Sequence, residues 1–416
     1  MEKQEEELSE QVLWLQVWGL AGLQGAITLT WLIYSVYLPK LLAEFGFPEQ
    51  VGIALLVVEN GLAVLLEPLM GGLSDRDKHQ FGSRFPLITA GVVLASTFFI
   101  AIPTVVVFGK SASELRWVLV MISVAWALAM TVFRSPAMSM LRNYAPPEGL
   151  ALANSLLVLV AGLFTAFQPV AHDFILSLGA VFTFAIGSFA LLGMAAVLQY
   201  VNPSETIPAS LANPKSSLLP STDALLYAPN YSLLPSLSLI FMTGVAVTWG
   251  TQFLTKTLCK MLMLQTGINN VDWLMVGVGI VLALAAPPTA DWALRFDNRR
   301  TMFVGAIATT ILLQIAVFVP NWLILVIAIL GLVVAFNLVV NGAIPFALML
   351  VPPHQVGIGV GMYFGGVAGA ESLLGFLLPS EQSMTPIVGA IGGTGAFVIV
   401  SLCVAASIKL RSLYSS

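Results

Sequence analysis

The sequence predicts an all-α membrane protein, with twelve transmembrane helices in two pseudo-symmetric six-helix bundles. Composition is the first reason. The 416 residues are 58% hydrophobic and 9% charged, with a mean hydropathy of +0.93, whereas water-soluble chains carry roughly a quarter charged residues. Length of the apolar runs is the second: stretches of about 20 mostly apolar residues, enough to cross a bilayer as a helix, recur between turn and charge signals. The third is a pattern of charges and prolines that repeats at matching junctions of the two halves. A soluble enzyme and a nucleic-acid partner are both disfavoured. The net charge of −4 says little, because in a membrane the side on which each charge sits is what matters.

Taken in order, the spans are expected at 16–38, 50–72, 86–108, 116–138, 150–172, 178–200, 234–256, 271–290, 301–319, 322–345, 357–378 and 385–408. The amino-terminal stretch is acidic (Glu2, Glu5, Glu6, Glu7, Glu10) and lacks the basic region of a cleavable signal, so the first span should stay in the mature chain. Residues 201–233 are rich in Pro, Ser and Asn and read as a flexible cytoplasmic linker between a bundle of residues 1–200 and one of residues 234–416. With both termini cytoplasmic, only Lys40, Lys110, Arg116, Lys256 and Lys260 of the 17 Lys and Arg residues fall outside, as the positive-inside rule requires. The expected setting is a multi-pass protein of the cell inner or plasma membrane, monomeric and without a cofactor. Cys259 and Cys403 offer neither a disulfide framework nor metal-ligand spacing, and no metal site is expected.

The junction echoes are specific. After span 2 the chain reads Gly71-Gly72-Leu73-Ser74-Asp75-Arg76, then Phe81-Gly82-Ser83-Arg84; after span 8 it reads Asp291-Trp292, then Arg295 and Arg299-Arg300. Asp75 precedes Arg84 by nine residues, and Asp291 precedes Arg300 by nine. Pro146-Pro147 before span 5 is matched by Pro352-Pro353 before span 11. Halves built alike around acidic-then-basic turns suit a transporter whose bundles rock about a midplane site. Asp75, Arg76, Arg84, Asp291, Arg295 and Arg300 are therefore expected to lock one state through charge-assisted hydrogen bonds to each other or to a helix end of the opposite half. The plainer alternative makes these arginines topology signals only.

The first of these turns resembles the signature loop of the major facilitator superfamily. More narrowly, Glu67 through Arg76 followed by Phe81-Gly82-Ser83-Arg84-Phe85-Pro86-Leu87-Ile88 is similar to sucrose-type proton symporters and the glycoside–pentoside–hexuronide cation symporters, and Phe133-Arg134-Ser135-Pro136-Ala137 resembles the superfamily's helix 4 exit. The resemblance implies a cavity lined by helices 1, 4, 7 and 10, with helices 2 and 11 packed across the halves. It also shows departures. The relatives' arginine cluster is here Ser83-Arg84-Phe85, their membrane-embedded Asp of helix 4 aligns with Ala127, and Asn143 stands where an acidic residue is common.

Ionisable groups within the bilayer cost several kcal/mol unless they have a partner or a cavity, so each is a candidate site. Glu59 and Glu67 lie in span 2 and Glu371 in span 11, while His172 and Asp173 fall at the outer interface. At 1.5 Å per residue Glu59 is about 24 Å, and Glu67 about 12 Å, from the turn at Asp75, with Glu371 about 20 Å from the start of span 11. Glu59 is expected to take up the coupling proton, burial making its charged form costly, with Glu371 as its partner and Glu67 as a third candidate. The alternative is that these are neutral acids tying helices together. No basic residue is expected at the midplane unless Lys256 reaches in, which disfavours a strongly anionic substrate. Neutral polar and aromatic residues remain for the substrate: Gln24, Thr28, Trp31 and Tyr34 on one face of span 1, Asn60 beside Glu59, Trp249 and Gln252 on span 7, and Asn337 with Asn341 on span 10. Interfacial belts and helix-to-helix hydrogen bonds are the competing uses of such residues.

The Gly357–Gly369 run suits close helix packing rather than a nucleotide loop, and no nucleophile or metal constellation stands out, so an enzyme is not expected. The function these features favour is secondary active transport of a neutral solute, a sugar or glycoside, driven by a cation gradient of protons. Alternatives are an exporter of a hydrophobic compound, and a non-transporting assembly or pigment-delivery factor of the same fold.

Overall fold

The computed structural model describes residues 12–109, 116–202, 233–268, 270–319, 321–377 and 385–415. Twelve of its helical segments are long and apolar enough to cross a membrane. They are α1 (Trp14–Glu44), α2 (Glu49–Phe81), α3 (Phe85–Gly109), α4 (Arg116–Ser139), α5 (Leu150–Ala166) and α6 (Ala180–Val201), followed by α7 (Leu233–Thr266), α8 (Asp272–Phe296), α9 (Asn298–Phe318), α10 (Trp322–Met349), α11 (Val356–Leu377) and α12 (Pro386–Ser415). Helix is dictated by the solvent. Inside lipid no water bonds the backbone, so a crossing segment must close its own hydrogen-bond ladder.

Several helices outrun the apolar stretches that announced them. Asp75 and Arg76 belong to α2, and Asp291 and Arg295 to α8. Hydropathy marks where a helix leaves lipid, and the charged residues simply continue the ladder beyond it. Elsewhere prolines interrupt. α5 stops at Ala166 and a short helix, Gln168–Ser177, restarts with Pro169 in its first turn, carrying exposed His172 and Asp173. Within α8 the ladder breaks at Ala285, just before Pro287-Pro288, dividing it into Asp272–Leu284 and Ala286–Phe296.

Packing shows the duplication. In the first bundle α1 packs on α5 and α6, α3 on α4 and α6, and α2 on α4; in the second α7 packs on α11 and α12, α9 on α10 and α12, and α8 on α10. Each pair in one bundle is matched by the pair six helices later in the other. The same operation exchanges the two seams that join the bundles, α2 with α11 and α5 with α8. Even the turns correspond: α2 ends on Gly82 at φ 74° and α8 on Asp297 at φ 70°.

The α2–α11 seam is built on glycine. A Cβ on Gly71 would strike the carbonyl of Gly357, one on Gly361 the backbone of Glu67 and Pro68, and one on Gly365 the carbonyl of Val64. Farther along, Ser372 Oγ donates to the Val57 carbonyl at 3.0 Å. The α5–α8 seam uses Gly162 against Ala283 and Gly279 against Ala166. Additional packing of α4 on α11 and α5 on α10 joins the bundles near the arginine-rich end that holds Arg76, Arg84 and Arg300. Among the described residues α1 and α2 make no comparable packing on α7 and α8. The cleft between the bundles is thus closed at the arginine-rich end. The expected linker lies almost wholly in 203–232, outside the described residues.

Candidate functional site

At the closed end, Asp75 comes off α2 directly under the first turn of α11. Its Oδ1 accepts from the Gly357 N–H at 2.8 Å and its Oδ2 from the Ile358 N–H at 2.9 Å. The first N–H groups of a helix lack partners within the helix, and their aligned dipoles favour an anion, so one carboxylate satisfies two donors of the opposite bundle. Arg84 Nη2 completes the arrangement at 2.5 Å from Oδ1, with Arg84 itself almost wholly buried. The Asp75–Arg84 pair expected from the spacing is formed, and its third member is the α11 terminus.

The second copy of that pattern is different. Asp291, Arg295 and Arg300 are all exposed. Arg300 has no ion-pair partner among the described residues, and Arg76 is likewise exposed without one. The buried arginine on this side is Arg299, whose Nη1 donates to the Ser407 carbonyl of α12 at 3.1 Å.

About two turns from Asp75 toward the bilayer centre, Glu67 is completely buried and paired. Its Oε1 accepts from Arg134 Nε at 2.8 Å and Nη2 at 2.5 Å, and Ser135 Oγ donates to its Oε2. The guanidinium also lies 4.5 Å from the ring centroid of Phe364 on α11, a cation–π contact across the bundles. Arg134 thus sits at the depth of Glu67, about 12 Å from the turn and short of the midplane, where no basic residue was expected. Arg134 belongs to the inner half of α4, and counting it among the topology charges concealed it; the visible signal was an otherwise unmatched Glu67 at similar depth.

Glu59 lies deeper still, 2% exposed, in a box of aromatic rings. Its Oε1 accepts from the Tyr34 hydroxyl at 2.6 Å. Trp126 of α4 packs 4.3 Å from Tyr34 and 4.8 Å from Trp31, with Phe99 of α3 stacked 5.0 Å behind it. Four buried polar atoms around this box have no hydrogen-bond partner among the described residues: Glu59 Oε2, Trp31 Nε1, Trp126 Nε1 and Gln24 Oε1. Gln24 stands seven residues, two turns, before Trp31 on the same face of α1. Thr28, by contrast, spends its hydroxyl on the Gln24 carbonyl. Trp126 is not singled out by the sequence because one tryptophan in an apolar run carries no charge or spacing signal; it is wholly buried, beside buried Ala127.

Glu371 is exposed, yet it does not face lipid. It stands seven residues beyond Phe364, about 20° away around the helix, on the face α11 turns toward α4 of the opposite bundle. The side chain therefore projects into the cleft. Neighbouring Ser372 is level with Val57 of α2, so Glu371 and Asn60 lie at nearly one depth, Asn60 partly exposed.

Of the remaining expected residues of the second bundle, Trp249, Asn337 and Asn341 give their N–H donors to backbone carbonyls, while Asn337 Oδ1 and Asn341 Oδ1 have no hydrogen-bond partner among the described residues. Trp249 Nε1 donates to the Ala370 carbonyl of α11 at 3.0 Å, while Gln252 is exposed on α7. Asn337 Nδ2 donates to the Leu282 carbonyl at 2.9 Å and Asn341 Nδ2 to the Ala286 carbonyl at 2.7 Å, on either side of the break in α8. Both amides of α10 thus bind carbonyls that flank the proline break. Asn154 of α5 adds a bond to the Asn341 carbonyl at 3.0 Å, joining the bundles.

Two duplicated six-helix bundles, closed at one end by a capped helix and enclosing a polar cleft, constitute the major facilitator fold, and the comparisons agree. No protein-family model matches the chain, and no curated protein matches its sequence. Solved structures do. A bacterial homologue of the iron transporter ferroportin, in an outward-facing state, superposes with a TM-score of 0.68 at 15% identity over 95% of this chain and 99% of its own. The proton:xylose symporter XylE of the major facilitator superfamily, bound to 6-bromo-6-deoxy-D-glucose, gives 0.65 at 13% over 97% and 96%. The human organic anion transporter MFSD10 gives 0.59 at 13% over 97% and 99%. The chain has the fold of these transporters.

Proposed function

We propose that the protein is a secondary active transporter that moves a neutral polyol, a sugar or glycoside, by alternating access coupled to a proton gradient, with its arginine-rich end in the cytoplasm. The observation that carries this reading is the box at Trp31, Tyr34, Glu59 and Trp126. It presents unpartnered donors (the two indole N–H groups) and unpartnered acceptors (Glu59 Oε2 and Gln24 Oε1) beside aromatic faces. Hydroxyl groups both donate and accept, and the C–H faces of a sugar ring pack on indoles, so a polyol satisfies every part of such a surface. Asn60 and Glu371 extend the polar lining toward the cleft. A carboxylate held among aromatic rings without a cation costs several kcal/mol as an anion, and binding a proton removes that cost. Glu59 is accordingly the proton site closest to the substrate. The likeness to XylE, a proton:xylose symporter, supports the same reading.

Counterflow of radiolabelled sugars in proteoliposomes tests it. A pre-loaded sugar should accelerate uptake of the same labelled sugar, Trp126→Ala should abolish exchange, and Glu59→Gln should retain exchange while losing accumulation driven by a pH gradient. Absence of exchange with every mono- and disaccharide tried would remove the sugar. Full gradient-driven accumulation by Glu59→Gln would remove its coupling role.

A further inference from the structure

Arg134 faces two carboxylates on opposite bundles. Glu67 of α2 holds it now, through two of its nitrogens. Glu371 of α11 has no ion-pair partner among the described residues and stands in the cleft, on the face that carries Phe364, the ring against which the guanidinium rests. The pairing of Arg134 with Glu67 and its contact with Phe364 set the guanidinium between α2 and α11. α3 contains no ionisable residue, α1 contributes Tyr34, which bonds Glu59 two turns along α2 from Glu67, α7 carries Lys256 two turns beyond the Trp249 that bonds the carbonyl next to Glu371, and Asp75 with Arg84 form their own pair nearer the end. One cation and two carboxylates are electroneutral only if the carboxylates share one proton, and in a low-dielectric setting neutrality is strongly preferred.

We propose that Arg134 is the shared cation of a Glu67–Arg134–Glu371 triad, and that its change of partner couples one proton to the opening of the arginine-rich end. The proposal rests on the proton-coupled reading above. In the present state Arg134 pairs with anionic Glu67, and Glu371, open to the cleft, carries the proton. Opening must part α11 from α2, which withdraws Phe364 from the guanidinium and exposes Glu67. Arg134 then turns to Glu371: the O–H bond on Glu371 breaks, one forms on Glu67, and the net charge of the triad stays zero. Deprotonation of Glu67 toward the opened end returns Arg134 to it, leaving Glu371 to be reloaded from the cleft. Arg134 is thus a positioning residue, acting on substrate only through the two carboxylates.

Ser74, next to Asp75 and wholly buried, reports the opening without any substrate. In a chain with Cys259 and Cys403 replaced by serine, Ser74→Cys should react with a soluble maleimide at rates differing at least about five-fold between about pH 5.5 and about pH 8.5. Removing both members of the ion pair (Glu67→Gln with Arg134→Gln) should reduce that difference to under about two-fold, and so should Glu371→Gln, whose side chain is exposed and not needed for packing. Arg134→Lys, which keeps the charge, should restore part of it. Undiminished pH dependence in Glu371→Gln or in the double variant overturns the triad, as does pH-independent labelling of the parent chain. If labelling behaves as stated while no sugar exchanges, the substrate assignment falls and the triad stands.

Discussion

The two seams between the bundles are exchanged by one pseudo-twofold operation, yet they are made of different chemistry. Along α2–α11 glycine backbones touch, and a carboxylate with its arginine clasps the end of the opposite helix. Along α5–α8 and the neighbouring α5–α10 contact, alanine and glycine pack more loosely, and neutral amides bridge carbonyls around a proline break. The difference teaches that duplication fixes where the halves meet but not how strongly each meeting responds to charge. A clasp of ions and helix dipole can be released by changing one proton or one angle, because much of its strength is electrostatic and directional. Amide bridges to carbonyls change little with pH. We read the first seam as the moving contact and the second as the pivot.

The comparison can be broken most severely by filling the glycine seam. Gly357→Val would drive a side chain into Gly71 and the Asp75 carboxylate, and should cost about 3 kcal/mol or more, or hold the end open. Melting in detergent and Ser74→Cys labelling distinguish the two. Gly162→Ala on the other seam, whose new Cβ would stand 3.0 Å from that of Ala283, should cost about 1 kcal/mol or less with labelling unchanged.

Next in size is Arg84→Ala, which leaves Asp75 with its helix cap but no cation. Breaking a buried pair costs about 3–5 kcal/mol, and on the proposed alternating-access cycle, in which the pair belongs to the closed end alone, labelling at Ser74→Cys should rise by at least about ten-fold. The corresponding change in the second bundle, Arg300→Ala, should alter stability by less than about 0.5 kcal/mol and labelling not at all, because that side chain is exposed and has no ion-pair partner among the described residues.

Smaller effects test the pivot. Asn341→Ala loses the bonds to Ala286 and Thr289 and should cost about 1–2 kcal/mol in thermal unfolding, independent of pH. The smallest expected change is a gain. Asp297 adopts φ 70°, ψ 137°, a conformation that suits glycine, so Asp297→Gly should raise stability by about 1 kcal/mol. No gain would mean that the aspartate side chain matters more than the strain.

Much of this was legible in the amino acids alone. Apolar length and the repeated turns gave twelve spans and two halves, and the nine-residue interval from Asp75 to Arg84 anticipated their pairing. A helix end of the opposite half was anticipated as a partner for Asp75, but not which one, because Gly357 and Ile358 enter through backbone N–H groups, which every residue but proline has. Arg134 was concealed by its closeness to a span end: an arginine there looks the same whether it faces water or Glu67. Asn337 and Asn341 have the spacing of a binding face, and only the break in α8 shows that their donors are already engaged. Glu59 was visible as an isolated carboxylate in an apolar run, whereas its setting among Trp31, Tyr34, Phe99 and Trp126 depends on four helices meeting.

The most direct test is a distance across the arginine-rich end. Spin labels at Gln80→Cys on α2 and Phe296→Cys on α8, both exposed, should give two populations in lipid by pulsed electron resonance, the longer greater by roughly 5–10 Å. Asp75→Asn, which weakens the clasp on α11, should move the balance toward the longer distance. A single distance, identical in the parent chain and in Asp75→Asn, would contradict the account.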